Sequence, residues 1–174
     1  MLAILLAAAA TFSMTPQWAQ ISSDDENCLV QKDLPWCGGA IGSKPLTSSA
    51  LLDAEQDVYK QMKFVDKRSA VWTSFHRQVA QGRRVEGDCD NFVFTVLGRL
   101  ASQGYDVSGA MRLLVTNDPK ATKPNHMVAL VKLDGNWVVF ADTEAARPYE
   151  IGKAKWRPIY SAPINETKWY FVQS

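Results

Sequence analysis

Three side chains in this sequence could together break an acyl bond: the thiol of Cys89, the imidazole of His126 and the carboxylate of Asp142. A thiol attacks a carbonyl carbon as thiolate, and the start of a helix favours that anion because its unpaired N–H groups and aligned peptide dipoles carry positive charge. Cys89 stands where such a start is expected, in Gly87-Asp88-Cys89-Asp90 ahead of apolar positions at Phe92, Val93, Val96, Leu97 and Leu100. Two histidines are available as its base. His76 lies within the helical pattern TSFHRQVA beside Arg77, where packing or solvation is its expected role. His126 follows the turn-like stretch Asp118-Pro119 to Pro124-Asn125 and opens the strand-like HMVALVKL, so its ring can project from a strand end toward a helix start.

A base of this kind needs a third group to hold its tautomer and stabilise the imidazolium. The dipeptide Asp134-Gly135 in LDGN is a strong two-residue hairpin signal, and pairing outward from it sets residue 126 opposite residue 143. Thr143 cannot carry charge. Asp142 is one position away, and a bulge or a longer loop would bring it onto the face of His126. The other cysteines, Cys28 and Cys37, lie close together in a polar, Pro- and Gly-containing arm. In an oxidising compartment they could close a short loop as a disulfide, leaving Cys89 as the thiol that chemistry must explain.

The elements that must position these groups follow from periodicity. Leu51, Leu52, Val58, Met62 and Val65 recur at near-helical spacing. Ala70, Trp72, Phe75, Val79 and Ala80 do so again after the charged Asp66-Lys67-Arg68, predicting two helices or one broken helix. A third helix begins at Cys89 and ends by Gly104. Beyond it AMRLLVTN, HMVALVKL, NWVVFAD, KWRPIYSA and KWYFVQ read as strands. Helices followed by consecutive strands predict an α+β domain with an antiparallel sheet packed against the helices.

The chain of 174 residues, 47% hydrophobic and 21% charged, has the composition of one globular domain. We divide it into an apolar leader over 1–19 resembling a secretory signal, an arm over 20–47 and the domain over 48–174. A net charge of +1 supplies no field for steering onto nucleic acid.

The segments GDCDNFVF, NHMVALV and WVVFAD occur in that order, with 37 residues from Cys89 to His126 and 16 from His126 to Asp142. Together they resemble the bacterial transglutaminase-like cysteine peptidases, periplasmic enzymes whose best-known members clip large surface adhesins and release biofilm cells. The resemblance runs from about Trp72 to Tyr149. It implies a papain-like fold, a Cys89–His126–Asp142 triad, peptide hydrolysis through a thioester, periplasmic or secreted location and a protein substrate such as an adhesin. It also implies an inner-membrane receptor that sequesters the enzyme, and calcium held by acidic residues beside the nucleophile, here Asp88 and Asp90. Read as residues alone, Asp88 and Asp90 fit a helix cap and an acidic first turn equally well. The chain departs from the family in having Asn91 where a further acid is common, and Asp90 where the usual residue is the longer Glu. The competing readings are a papain-like peptidoglycan endopeptidase, whose third residue is usually a second histidine, and a papain-fold binding or effector module without turnover.

Overall fold

The computed structural model describes residues 13–19, 34–65, 72–118, 120–145, 147–166 and 168–173. The architecture is α+β. Helix α1 (Ser48–Gln61) starts where the Thr47 hydroxyl accepts from the Ala50 N–H at 3.2 Å, satisfying one of the orphan donors of its first turn. Its inward face is Ala50, Leu51, Ala54, Glu55 and Val58. A short helix α2 (His76–Ala80) leads toward α3 (Cys89–Ser102), which is buried continuously from Asn91 to Gly98 and again at Leu100. Such a helix can only be central. It packs between α1 and the sheet, and the half-buried Arg99 reaches Asp57 of α1 at 2.7 Å.

The sheet has seven strands, β1 (Ser13–Ala19), β4 (Met111–Thr116), β5 (His126–Leu133), β6 (Asn136–Phe140), β7 (Tyr149–Glu150), β8 (Arg157–Pro163) and β9 (Trp169–Gln173). Their spatial order is β1-β9-β8-β4-β5-β6-β7 and every pairing is antiparallel. Strand β5 is buried on both faces. Met127, Ala129 and Val131 join the core against α3, while Val128 and Leu130 join a second cluster with Leu113, Val115, Val139 and Trp156 on the opposite face. That accounts for an almost unbroken apolar run with no polar alternation. Each such side chain contributes about 1.5–3 kcal/mol on full burial. The fully buried Arg112 is stacked between the rings of Phe94 and Trp169, 5.5 and 5.3 Å from their centroids, and donates to the carbonyls of Pro163 and Glu166.

Several elements differ from expectation. Residues 13–19, placed in the leader, pair with β9 at the sheet edge. Two short strands, β2 (Met62–Phe64) and β3 (Val85–Gly87), pair in parallel and deliver the chain to Asp88. Of the helix expected from Ala70, only His76–Ala80 is helical among the described residues, because the backbone just ahead of it is bonded to side chains of α3. Asn91 Nδ2 donates to the Thr73 carbonyl at 3.0 Å, and the Phe75 N–H donates to Thr95 Oγ1 at 2.9 Å. Asn91, Thr95 and Gly98 form one stripe at i, i+4 and i+7, and residues 72–76 lie along it. Residues 1–12 of the leader and 20–33 of the arm, including Cys28, and residues 66–71 lie outside the described residues. No helix among the described residues is long and apolar enough to cross a membrane.

Gly98 makes this close approach possible. A Cβ there would stand 2.8 Å from Ser74 Oγ and 2.9 Å from the His76 ring. Alanine is worth about 1 kcal/mol over glycine in a helix, and overpacking costs roughly 1–3 kcal/mol. Gly98→Ala is therefore expected to lower the urea midpoint rather than raise it; a raised midpoint would mean that the 72–76 segment is held only loosely.

Candidate active site

Cys89 is the first residue of α3 and a free, half-buried thiol. Its position is set by a capping box. The Asn91 N–H donates to Asp88 Oδ1 at 3.5 Å, and the Asp88 N–H donates to Asn91 Oδ1 at 3.2 Å. Asn91, where the resembling family often has an acid, is thus occupied on three sides by Asp88 and Thr73. Gly87 is constrained with it, since a Cβ there would meet Asn91 Cβ at 2.7 Å.

The opposing half is built by the β5–β6 hairpin. Asp134 and Gly135, both at positive φ, make the two-residue turn, and the ladder runs outward to the pair Ala129 and Phe140. On its other edge His126 pairs with Val115 of β4, which fixes its backbone. Beyond Phe140 the strand breaks at Ala141, whose φ of 52° lies in the left-handed region, at a cost of about 1–2 kcal/mol for a residue with a Cβ. This corner brings Asp142 to His126, with Nε2 to Oδ1 at 2.9 Å. With Nε2 facing Asp142, Nδ1 is the ring nitrogen left for Cys89, whose proximity helps hold the imidazole pKa up. The structure brings Cys89, His126 and Asp142 into one cluster.

Asp142 accepts from four donors. The Glu144 N–H reaches Oδ1 at 3.0 Å, alongside His126, while Tyr149 Oη at 2.5 Å and Trp156 Nε1 at 3.3 Å donate to Oδ2. A buried carboxylate with both oxygens doubly served stays ionised. Burial alone would raise its pKa, but the bonds from His126, Tyr149 and the Glu144 backbone hold it down at about 2. For His126, burial alone would lower the pKa, yet its contacts with Asp142 and the Cys89 side chain hold it up at about 9. Burial and the Asp142 charge also push the Tyr149 phenol upward, keeping it a donor.

The carboxyls flanking the thiol form a second arrangement. Burial, followed by the negative charge and hydrogen bonding of Asp88, raises Asp90 to about 8, and its Oδ1 is buried without a hydrogen-bond partner. The pair offers hard oxygen ligands of the kind calcium takes. Glu86 does not join them, being paired with Lys63 at 3.0 Å across the β2–β3 ladder. Among the described residues no group of three or more His, Cys, Asp or Glu side chains is placed to hold a metal ion, so further oxygens for an ion would come from backbone or water.

His76 is buried in the core with Nδ1 2.8 Å from Ser74 Oγ. Trp72 packs on Phe94 and Trp169, with centroids at 5.8 and 5.5 Å. Cys37 sits half-buried against the main core, and its expected partner Cys28 is outside the described residues. Sequence reasoning missed Tyr149 and Trp156, and the only signal was their polar-tipped aromatic type. No protein-family model matches the sequence, and no curated protein is similar to it at a significant level.

The stability linked to this pair has a defined window. The His126 contribution is complete below its ordinary value of 6.5 and lost as pH rises through about 9; that of Asp142 is complete above 3.8 and lost as pH falls through about 2. Asp142→Asn is expected to move the His126 titration, followed by NMR of its Cε1 proton, from about 9 toward 6.5. Between pH 3.8 and 6.5 it should cost about 3 kcal/mol in urea unfolding, a gap that narrows as pH rises from 6.5 and closes above about 9. An unmoved titration would mean that Asp142 does not stabilise the imidazolium.

Proposed function

We propose that this chain is a cysteine peptidase of papain-like fold, with Cys89 as nucleophile, His126 as acid and base, and Asp142 as the residue that orients the ring. The observation that carries the reading is the site itself: a thiol at a helix start, an imidazole beside it, and a buried carboxylate on the far nitrogen. A structural role would account for any one of these groups, but a buried imidazole shared between a thiol and a four-donor carboxylate is the arrangement acyl transfer needs.

In this reading the Cys89 sulfur adds to a peptide carbonyl, and the Cys89 N–H, outside the internal ladder of α3, is one donor to the oxyanion. The C–N bond then breaks as His126 passes its proton to the leaving amine, leaving a thioester on Cys89. Water, deprotonated by His126, releases the acid and restores the thiol. Throughout, Asp142 holds the ring and balances its charge.

A hollow of about 160 Å³ lined by Glu55, Gln56, Tyr59, Lys60, Phe92 and Ala145 adjoins this region, since Phe92 follows Cys89 by one turn and Ala145 closes the turn begun at Asp142. It is a candidate place for a substrate side chain. The adhesin-like substrate, the sequestering receptor and export to the periplasm belong to the same proposal and rest on the motif resemblance. Calcium would be held by Asp88 and Asp90, where a divalent charge would offset the repulsion between the two carboxyls and stiffen the helix start that presents the sulfur.

The test is cleavage of an adhesin N-terminal fragment by wild type and Cys89→Ala, each with calcium and with a chelator. Loss of at least about a thousandfold in Cys89→Ala is expected; equal cutting by both would defeat the mechanism. For the acidic pair, calcium should raise the melting temperature of wild type and not of Asp90→Asn. An equal rise in both would remove Asp90 from the ion site.

A further inference from the structure

Glu55 is the one acidic residue on the buried face of α1, only 5% exposed, and nothing in the proposed chemistry uses it. Its Oε1 accepts the Ala141 N–H. That donor has no place in the hairpin ladder, which ends at Phe140, and it belongs to the residue whose left-handed φ turns the chain into Asp142. Strict pairing would have left Thr143 opposite His126. The corner at Ala141 replaces it with Asp142, and an unfavourable backbone conformation persists only where surrounding groups hold it.

We infer that Glu55 is a positioning residue for the triad: by accepting the Ala141 N–H it holds the corner that sets Asp142 beside His126. The inference rests on the reading of Cys89, His126 and Asp142 as a working triad.

Stability alone does not explain a carboxyl here. Burial, opposed by the Ala141 bond and reinforced by the nearby Asp142 charge, raises Glu55 to about 8. Because the folded state holds this proton more tightly, Glu55 costs stability progressively as pH rises from 4.5 to about 8. An apolar residue on the same face would carry no such cost. What the carboxyl supplies is an acceptor at the reach of α1. Being largely neutral at physiological pH, it adds little negative charge that would compete with Asp142 for the imidazole. The titratable groups around that imidazole are then Cys89 from α3 and Asp142 from the corner, with Tyr149 and Glu55 acting through Asp142.

The test compares Glu55→Gln, which keeps a carbonyl acceptor, with Glu55→Leu, which removes it, and with Glu55→Asp, one methylene too short to reach. Leu51→Ala loosens the same face of α1 while leaving the Glu55 acceptor in place and controls for simple destabilisation. Two readings are taken on the free protein by NMR: the His126 titration and the hydrogen exchange of the Ala141 amide. Glu55→Gln should keep the Ala141 exchange rate within about threefold of wild type, whereas the Leu and Asp variants should speed it about tenfold or more. In the Leu and Asp variants the His126 titration should also move down from about 9 toward 6.5. Leu51→Ala should leave the titration in place. The inference is overturned if the Leu and Asp variants keep the wild-type titration, or if Leu51→Ala moves it as far. If wild-type His126 itself titrates near 6.5, the triad reading fails, whatever Glu55 does.

Discussion

The hydrogen bond between His126 and Asp142 is the constraint on which the rest of this molecule turns. It joins the first residue of β5 to the first residue past the corner at the end of β6, two places the hairpin register alone would leave misaligned. Each structural oddity near it serves that meeting. The β5–β4 pairing fixes one side, the left-handed Ala141 redirects the other, and Tyr149 and Trp156 come from two later segments to take up the second carboxylate oxygen. The long apolar run of β5 anchors the arrangement through both faces of the sheet, so the imidazole is presented by one of the most firmly buried elements of the domain.

Around this bond the protein keeps acidic groups in two different protonation regimes. Asp142 is held ionised by its donors, while Glu55 and Asp90 are held up near neutrality by burial and by neighbouring charge. The difference comes from hydrogen-bond supply rather than depth. Asp142 is as buried as Glu55, 4% against 5% exposed, but has four donors where Glu55 has the Ala141 N–H and an unpartnered Oε2. A charge survives burial where donors replace its water, and is surrendered where they do not. Holding Glu55 and Asp90 protonated costs stability as pH rises through neutrality, whereas the ionised Asp142 contributes it.

Much of this was legible in the sequence because it depends on local rules. HMVALVKL is β5 residue for residue, Asp134-Gly135 is its turn, and the apolar stripe after Gly87-Asp88 begins the helix at Cys89. The near-register of Asp142 with His126 also followed from counting, although the single-position slip needed Ala141 to adopt a conformation that alanine does not advertise. What stayed hidden is long-range. Residues 72–75 carry a helical period yet form no helix, because Asn91 and Thr95 of a later helix take their backbone groups. Glu55 reads as an ordinary surface acid of an amphipathic helix until the hairpin folds over it. The pairing of β1 with β9, and of β2 with β3, likewise joins segments whose separation carries no periodic signal.

The central claim is that His126 makes Cys89 reactive, and the most direct measure is the rate at which iodoacetamide alkylates Cys89 at neutral pH, followed by mass spectrometry in folded wild type and His126→Ala. The account predicts labelling of Cys89 roughly a hundredfold faster in wild type, because the imidazolium stabilises the attacking thiolate. Equally slow labelling in both proteins would contradict it and leave Cys89 an ordinary half-buried thiol.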